Sequence, residues 1–240
     1  MPEVKLLQTI KPDHIAIICD GNRTWAKERG KPAGFGHKQG IKMIEELIES
    51  GIEQGIPYLT FWIFSTENWN RSKAEVSLLF NLFRQSFKRI ETKMDKKDVR
   101  LNFIGDISRL PQDMQEYIER SEAKTKNNKR LTATFAISYG GRDEIVRAVN
   151  KYIEDKQPTT ENNERLTPEK LEKYLDTYDL PEPDMIVRTG LSNYRLSGFL
   201  LWQLNYAELY FPNVGFPDFD DSELKKAVAE FGKRQRRFGK

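Results

Sequence analysis

The stretch His14-Ile-Ala-Ile-Ile-Cys-Asp-Gly-Asn-Arg-Thr-Trp25 decides how the chain is read. A short apolar run ends on a carboxylate, Asp20, and the turn-forming pair Gly21-Asn22 follows at once. Apolar runs of this length bounded by turn residues fit strands buried on both faces, as in a parallel sheet. Ligands of open α/β sheets collect beyond the carboxyl ends of the strands, so Asp20 falls where chemistry is expected. Taken alone, Asp-Gly-Asn is equally an ordinary turn with a helix cap.

Outward from this stretch, apolar runs alternate with amphipathic ones. Trp25 to Gly30 predicts a short helix, broken by Gly30-Lys-Pro-Ala-Gly34. Gly36-His37-Lys-Gln-Gly40 leads into Ile41, Ile44, Leu47, Ile48 and Ile52 at helical spacing. Tyr58 to Phe64 is a second strand by its aromatic and branched content, and it runs into the polar cluster Ser65 to Arg71. A long helix carries Val76, Leu79, Phe80, Phe83, Phe87 and Ile90 on one face. Val99 to Ile104 is a third strand, Pro111 to Lys126 a helix, and Leu131 to Ser138 a fourth strand closed by Tyr139-Gly-Gly-Arg142. Asp143 is placed to cap the helix that follows. The polar stretch from Asp155 to Arg165 predicts a loop. Asp184 to Arg188 and Phe199 to Gln203 complete the strands, and a helix from Ser222 ends in the basic run Lys233 to Arg237. The alternation predicts an α/β fold: one domain over residues 1–240, with a mostly parallel sheet of about six strands flanked by helices.

Composition narrows the function classes. The 240 residues are 38% hydrophobic and 31% charged, ordinary for a folded soluble domain. Thirty-nine basic against 36 acidic residues leave a net charge of +3, too balanced to argue for a nucleic-acid partner. The single cysteine, Cys19, excludes an intrachain disulfide and fits a reducing, cytoplasmic setting. No apolar run approaches a membrane span, and the amino terminus lacks the apolar stretch of a signal peptide.

Three polar clusters follow predicted strands: Asp20-Gly21-Asn22, Ser65 to Arg71, and Arg188 to Ser197. Parallel strands bring all three to one sheet edge. Arginines beside helix starts suit phosphate groups. A carboxylate among them suits Mg²⁺, which takes few protein ligands and completes its shell with phosphate oxygens. The glycine-rich signatures of P-loop NTPases and dinucleotide enzymes are missing. His14 and His37 are too few and too far apart for zinc.

At these clusters the chain resembles the cis-prenyltransferases, the undecaprenyl diphosphate synthase and isoprenyl transferase family. The resemblance rests on His14 to Asn22, Phe64 to Arg71, Tyr139 to Asp143, Ile186 to Gly190, Leu200 to Gln203 and Ala207 to Phe211, in order along nearly the whole chain. It implies Mg²⁺-dependent condensation of isopentenyl diphosphate with an allylic diphosphate, giving a Z double bond, with a hydrophobic tunnel for the growing chain between the Val76–Ile90 helix and the sheet. By position, Asp20 matches the metal-linked residue that assists departure of the allylic diphosphate. Gly21, Asn22, Trp25 and His37 match positions that hold that diphosphate, and Arg71 matches a substrate-binding arginine. Ser65, Thr66, Glu67 and Trp69 match the second substrate-binding motif. Asn68 matches a position assigned as proton acceptor, although a neutral amide is a poor base and better suited to orienting substrate. Arg188, Arg195, Leu196 and Ser197 match the isopentenyl diphosphate site, and Glu208 a further metal-linked carboxylate. The resemblance also implies a homodimer and a peripheral membrane contact for product release.

The chain departs from the family pattern at two places. The diphosphate arginine after Asp-Gly-Asn is replaced by Thr24, with Arg23 beside it, and a second family arginine falls on Ala33. Each lost charge-assisted bond costs about 1.5–3 kcal/mol. Lys31 compensates only in part, because lysine lacks the planar fork of arginine. The third cluster is one residue longer around Leu191 to Tyr194. Ile63 is bulkier than the alanine often found there, whereas Ala133 is small, and the two have opposite effects on tunnel length. Two alternatives therefore stand beside a chain elongase. One is a member making a short or irregularly coupled product. The other is a non-catalytic subunit of a heteromeric enzyme, against which the presence of Asp20 argues.

Overall fold

The computed structural model describes residues 10–156, 165–191 and 193–234. Most of the polar stretch expected as a loop, and the basic run beyond Arg234, lie outside the described residues. In chain order the elements are β1 (His14–Ile18), α1 (Asn22–Glu28), α2 (Ala33–Gln54), β2 (Tyr58–Ser65), α3 (Lys73–Asp95), β3 (Val99–Ile104) and α4 (Gln112–Thr125). They continue with β4 (Leu131–Tyr139), α5 (Gly141–Lys156), α6 (Pro168–Glu172), β5 (Met185–Arg188), β6 (Glu208–Tyr210) and α7 (Asp221–Lys233). Short 3₁₀ turns at Thr66–Asn70, Ile107–Arg109 and Phe216–Asp218 join them.

The six strands form one sheet in the order β3-β4-β2-β1-β5-β6, and every pair is parallel. This is the expected α/β architecture. β1 lies between β2 and β5 and is buried at all five positions. From β1 the chain passes to one side to make β2 and returns much later on the other side to make β5. A crevice forms at such a reversal, beyond the carboxyl ends of the two strands.

One face of the sheet is covered by α2 and α3. Ile41, Ile44, Leu47 and Ile48 of α2, and Leu79, Phe80, Phe83, Phe87 and Ile90 of α3, are buried in the core cluster. Phe83 stacks on Phe87 at 5.6 Å, and Phe87 meets Phe103 of β3 edge-on at 6.0 Å. Each such side chain contributes about 1.5–3 kcal/mol by burial, so this aromatic ladder fixes α3 against the sheet. Among the described residues, no helix is long and apolar enough to cross a membrane.

Four details differ from the sequence reading. α2 begins at Ala33 and runs through Gly34, Gly36 and Gly40, and Gly36 and Gly40 serve close packing against Asn22. Asp143 does not cap α5; it lies in the first turn and accepts a 2.8 Å bond from Arg147 Nε. The short helix α6 carries no periodic signal strong enough to predict it. Phe199 to Gln203 is a helical turn instead of a strand: Gln203 N and Leu204 N both donate to Leu200 O at 3.1 Å. Phe199 stacks on Trp62 at 5.0 Å, and Phe199 and Leu200 are buried without sheet pairing. The sixth strand is Glu208–Tyr210 at the sheet edge.

His14, at the start of β1, is 2% exposed. Its Nδ1 lies 2.7 Å from Pro181 O, an acceptor only, so Nδ1 carries the proton and Nε2 accepts from Thr60 Oγ1 at 2.8 Å. Burial lowers its pKa from 6.5 to about 4. Between those values the unfolded chain binds a proton that the folded one refuses. The stabilisation is therefore complete above about pH 6.5 and is lost as pH falls toward 4, by up to about 3 kcal/mol. Urea unfolding measured between pH 4.5 and 7 is expected to show this slope. His14→Gln is expected to be less stable at pH 7 but to lose His14's share of the pH dependence.

Candidate functional site

The three clusters converge at the β1–β5 crevice. Asp20 follows β1, and its backbone is held on both sides. Its N–H donates to Thr189 Oγ1 at 3.0 Å, and its carbonyl accepts from Phe216 N at 2.8 Å. Gly21 has φ +95°, and a Cβ there would stand 2.9 Å from Gly215 Cα and 3.2 Å from Gly190 Cα. Only glycine suits both this backbone and this close approach. The Asp20 carboxylate accepts from Gly21 N through Oδ1 at 2.7 Å. Its Oδ2 accepts from Arg188 Nη2 at 2.8 Å and Asn193 Nδ2 at 3.1 Å.

Arg188 ends β5 and is buried. Its Nη1 donates to the carbonyl of Arg195 and, at 2.9 Å, to Ser197 Oγ. A buried guanidinium is costly unless its donors are satisfied, and Nε has no partner. Two further buried polar atoms nearby, Asn22 Oδ1 and His37 Nε2, are also without partners. Orphaned polar atoms of this kind ask for a ligand or water.

These residues line one cavity of about 440 Å³, within the size range of small-molecule sites. Of the positions expected from sequence, it gathers Asp20, Gly21, Asn22, Arg23, Thr24, His37, Ser65, Glu67, Asn68, Arg71, Arg188 and Ser197. Three arginines thus face it with two carboxylates. Burial, and after it the charge of Arg71, lowers the pKa of His37 to about 4, so its ring is neutral at pH 7. Asn68 Oδ1 accepts from Ser65 N at 3.1 Å. The backbone N–H can only donate, so the oxygen is engaged and the amide NH₂ is left for the cavity. A donor, and no base, is what Asn68 offers there.

Six expected positions stand elsewhere. Trp25 turns away from the cavity: it donates to Asp218 Oδ1 at 2.7 Å, stacks on Phe35, and lies under the Arg29 guanidinium. Trp69 packs on Phe64 and Phe80 behind the wall and donates to Ser138 Oγ at 3.0 Å. Thr66 presses against Gly140, where a Cβ would meet its Oγ1 at 2.5 Å. Arg195 takes part through its carbonyl alone, and Leu196 packs against the Trp62 and Phe199 cluster. Glu208 pairs with Arg234 at 2.9 Å. Strand register sets Glu208 beside Met185, whereas Arg188 pairs with Ile18 near Asp20. A metal site shared by Asp20 and Glu208 is therefore not formed within one chain, because the two lie toward opposite ends of β5. Lys31 lies over Phe35, so of the two candidates for the missing charge Arg23 is the one at the cavity.

Apolar side chains complete the lining, among them Ile41, Ile44, Ile63, Leu79, Phe83 and Phe216. Most of these are legible only as core residues in sequence, since a core stripe and a ligand wall have the same period. Phe216, on an irregular segment, carries no signal at all. Asp20 is 38% exposed at its side chain. A reachable aspartate beside anion-binding groups fits Mg²⁺ held jointly by protein and phosphate. Among the described residues, no group of three or more acidic, histidine or cysteine side chains forms a metal cage.

Residues 18–239 match the prenyltransferase family model for undecaprenyl diphosphate synthase. An isoprenyl transferase of Fusobacterium nucleatum is 45% identical over 95% of this chain and 96% of its own. The ditrans,polycis-undecaprenyl-diphosphate synthase of Shewanella oneidensis, specific for (2E,6E)-farnesyl diphosphate, is 42% identical over 100% of this chain and 87% of its own. The crystal structure of lavandulyl diphosphate synthase from Lavandula x intermedia, in complex with dimethylallyl diphosphate, superposes with a TM-score of 0.88 at 35% identity, covering 96% of this chain and 99% of that one.

The position of Asn22 and His37 depends on contact between α1 and α2. A Cβ at Gly36 would stand 2.0 Å from the backbone oxygen of Asn22, and no rotamer relieves that clash. Gly36→Ala is expected to cost about 1–3 kcal/mol through overpacking, more than the helix propensity gained. Gly34→Ala meets only the flexible end of Leu78 at 3.1 Å and is expected to be nearly neutral. Thermal unfolding of the two variants checks the difference.

Proposed function

The chain belongs to the undecaprenyl diphosphate synthase family of prenyltransferases, and from that premise we propose that it catalyses cis-prenyl transfer, condensing isopentenyl diphosphate with an allylic diphosphate to give a Z-prenyl diphosphate. The observation that carries this reading is a single cavity lined by three arginines and by apolar side chains, with the Arg188 Nε–H and His37 Nε2 buried and without partners. A prenyl diphosphate has the same two halves: a trianionic head and a hydrocarbon tail.

In this reading Asn22, Arg23, His37 and Arg71 hold the allylic diphosphate, while Arg188 and Ser197 hold isopentenyl diphosphate. Gly21 and Thr24 shape the first site, and Ser65 and Glu67 border the acceptor. Charge-assisted bonds of this kind contribute about 1.5–3 kcal/mol each. Bound Mg²⁺, held by Asp20 together with the substrate's phosphates, supplies neutralisation of charge growing on the leaving group. Asn68 orients the acceptor through its NH₂, and the released diphosphate takes the proton lost in forming the new double bond. Ile41, Ile44, Leu79 and Phe83 keep water from the allylic carbon and begin the wall of a tunnel for the chain, with Ile63 narrowing it.

A homodimer is supported by the edge position of β6, where Leu209 and the neighbouring Tyr206 are exposed. Unpaired strand edges invite a second chain. Glu208 then acts across that contact. A peripheral membrane contact would receive a long apolar product, and a cytoplasmic setting fits the lone, half-buried Cys19. A second reading, irregular coupling of two short allylic units, draws on the likeness to lavandulyl diphosphate synthase and on Asn193, which bonds Asp20 from the lengthened third loop.

The test is incubation with radiolabelled isopentenyl diphosphate, Mg²⁺ and primers from dimethylallyl to farnesyl diphosphate, followed by chromatography. Elongation of at least one primer is expected, and the product length reads the tunnel. No incorporation with any primer overturns the elongase reading, and a product from dimethylallyl diphosphate alone favours the irregular one. Asp20→Ala is expected to lower turnover by on the order of 10²-fold or more while leaving circular dichroism unchanged. Full activity in that variant removes Asp20 from the chemistry.

A further inference from the structure

Two of the arginines at the cavity mouth share a carboxylate that does not face the cavity. Glu75, in the first turn of α3, accepts from Arg71 Nη1 at 3.0 Å through Oε1, and the same oxygen lies 3.6 Å from Arg23 Nη1. Arg23 and Arg71 line the cavity and Glu75 does not, so the carboxylate stands behind the two guanidiniums as seen by a ligand. Its own position is fixed by the Ser72 cap, whose Oγ accepts from Glu75 N at 3.2 Å. The first turn of a helix also favours a negative side chain there.

The two arginines need this differently. Arg71 follows the Thr66–Asn70 turn, and its side chain is 24% exposed. Arg23 projects from the short helix α1 with 60% of its side chain exposed. A long, exposed arginine loses rotamer freedom when held in one place. Beside Arg71 it also meets a like charge. Without a counter-charge between them, the lower-energy arrangement puts Arg23 out in water, away from the cavity.

We propose that Glu75 is a positioning residue that holds Arg23 beside Arg71, so that the pair acts as one anion-binding unit for the allylic diphosphate. Glu75 touches no substrate; it acts through the two guanidiniums. Because it sits behind them, their remaining N–H groups stay available to phosphate oxygens while the ion pairs persist. This rests on the reading of the cavity as a diphosphate site.

The test is a double-mutant cycle read by calorimetric titration of inorganic pyrophosphate with Mg²⁺. Wild type binding pyrophosphate establishes the underlying reading; no binding would refute that reading and not the role of Glu75. Arg23→Ala and Glu75→Gln are each expected to weaken binding about fivefold to tenfold, and the double variant no further than the weaker single one. In steady-state assays Glu75→Gln is expected to raise KM for the allylic substrate and leave KM for isopentenyl diphosphate unchanged. Glu75→Asp, which keeps the charge, is expected to recover part of the loss. Two results overturn the proposal. Tighter pyrophosphate binding by Glu75→Gln would make Glu75 a competitor for the arginines. Fully additive losses would show that it acts independently of Arg23.

Discussion

Three strands of main chain meet without side chains between them at Gly21, Gly190 and Gly215, and the site depends on that contact. Asp20 O accepts from Phe216 N, and Gly190 N donates to Val214 O, both at 2.8 Å. The carboxyl ends of β1 and β5 are thus tied to the loop before α7. Any Cβ at Gly21 would push these segments apart by several tenths of an ångström. The contact brings Arg188 within hydrogen-bond distance of Asp20, and it also sets Phe216 into the cavity wall. One backbone packing event thereby builds both polar and apolar parts of the cavity lining.

Charge at this site is organised by burial. Arg188 is 5% exposed and would be strongly unfavourable there if unpaired. Asp20, the Arg195 carbonyl and Ser197 engage its two Nη atoms and aim it along the crevice, while Nε stays without a partner. Arg71 is half-buried, and desolvation lowers its pKa against the opposing pull of Glu75, with the guanidinium still charged at any working pH. His37 beside it stays neutral for the same reason. The site therefore enters binding with fixed guanidinium charges and a neutral imidazole whose Nε2 is unsatisfied.

The fold was legible because parallel strands buried on both faces read as apolar runs, as β1 and β2 do, and because the alternating β3 still carries Val99, Leu101, Phe103 and Ile104. The edge strand β6 was not, since Glu208–Tyr210 is three residues long and half-exposed, whereas the neighbouring Phe199 to Gln203 is more apolar yet buries Phe199 and Leu200 as a turn. Hydrophobic content reports burial, and burial is not pairing. Motif positions placed Asp20, Arg188, Ser65 and Asn68 at the cavity. They did not place Trp25 and Trp69, because an aromatic in a motif can serve it by packing from behind, as Trp69 does against Phe64 and Phe80. Glu75 left no trace of its role, since an acidic residue in a first helical turn is commonplace and its partners lie on other elements.

The irregular segment from Arg195 to Gln203 shows how a loop is made rigid enough to hold a binding arginine. Gly141 N donates to Gly198 O at 2.8 Å, which ties the loop to the start of α5. Farther along, Gln203 Nε2 donates to Glu144 Oε2 at 3.1 Å, and Glu144 also accepts from Tyr139 and Thr177. Glu144 is fully buried, and desolvation raises its pKa. Buried carboxylates are tolerated only when nearly every oxygen lone pair is used, and here the donors come from β4, the segment after α6, and the loop itself. Breaking one of them would unsettle all three. The polar knot lies off the cavity, yet it fixes the stretch whose Ser197 and Arg195 carbonyl aim Arg188. Precision at the mouth thus rests on side chains that never meet a substrate.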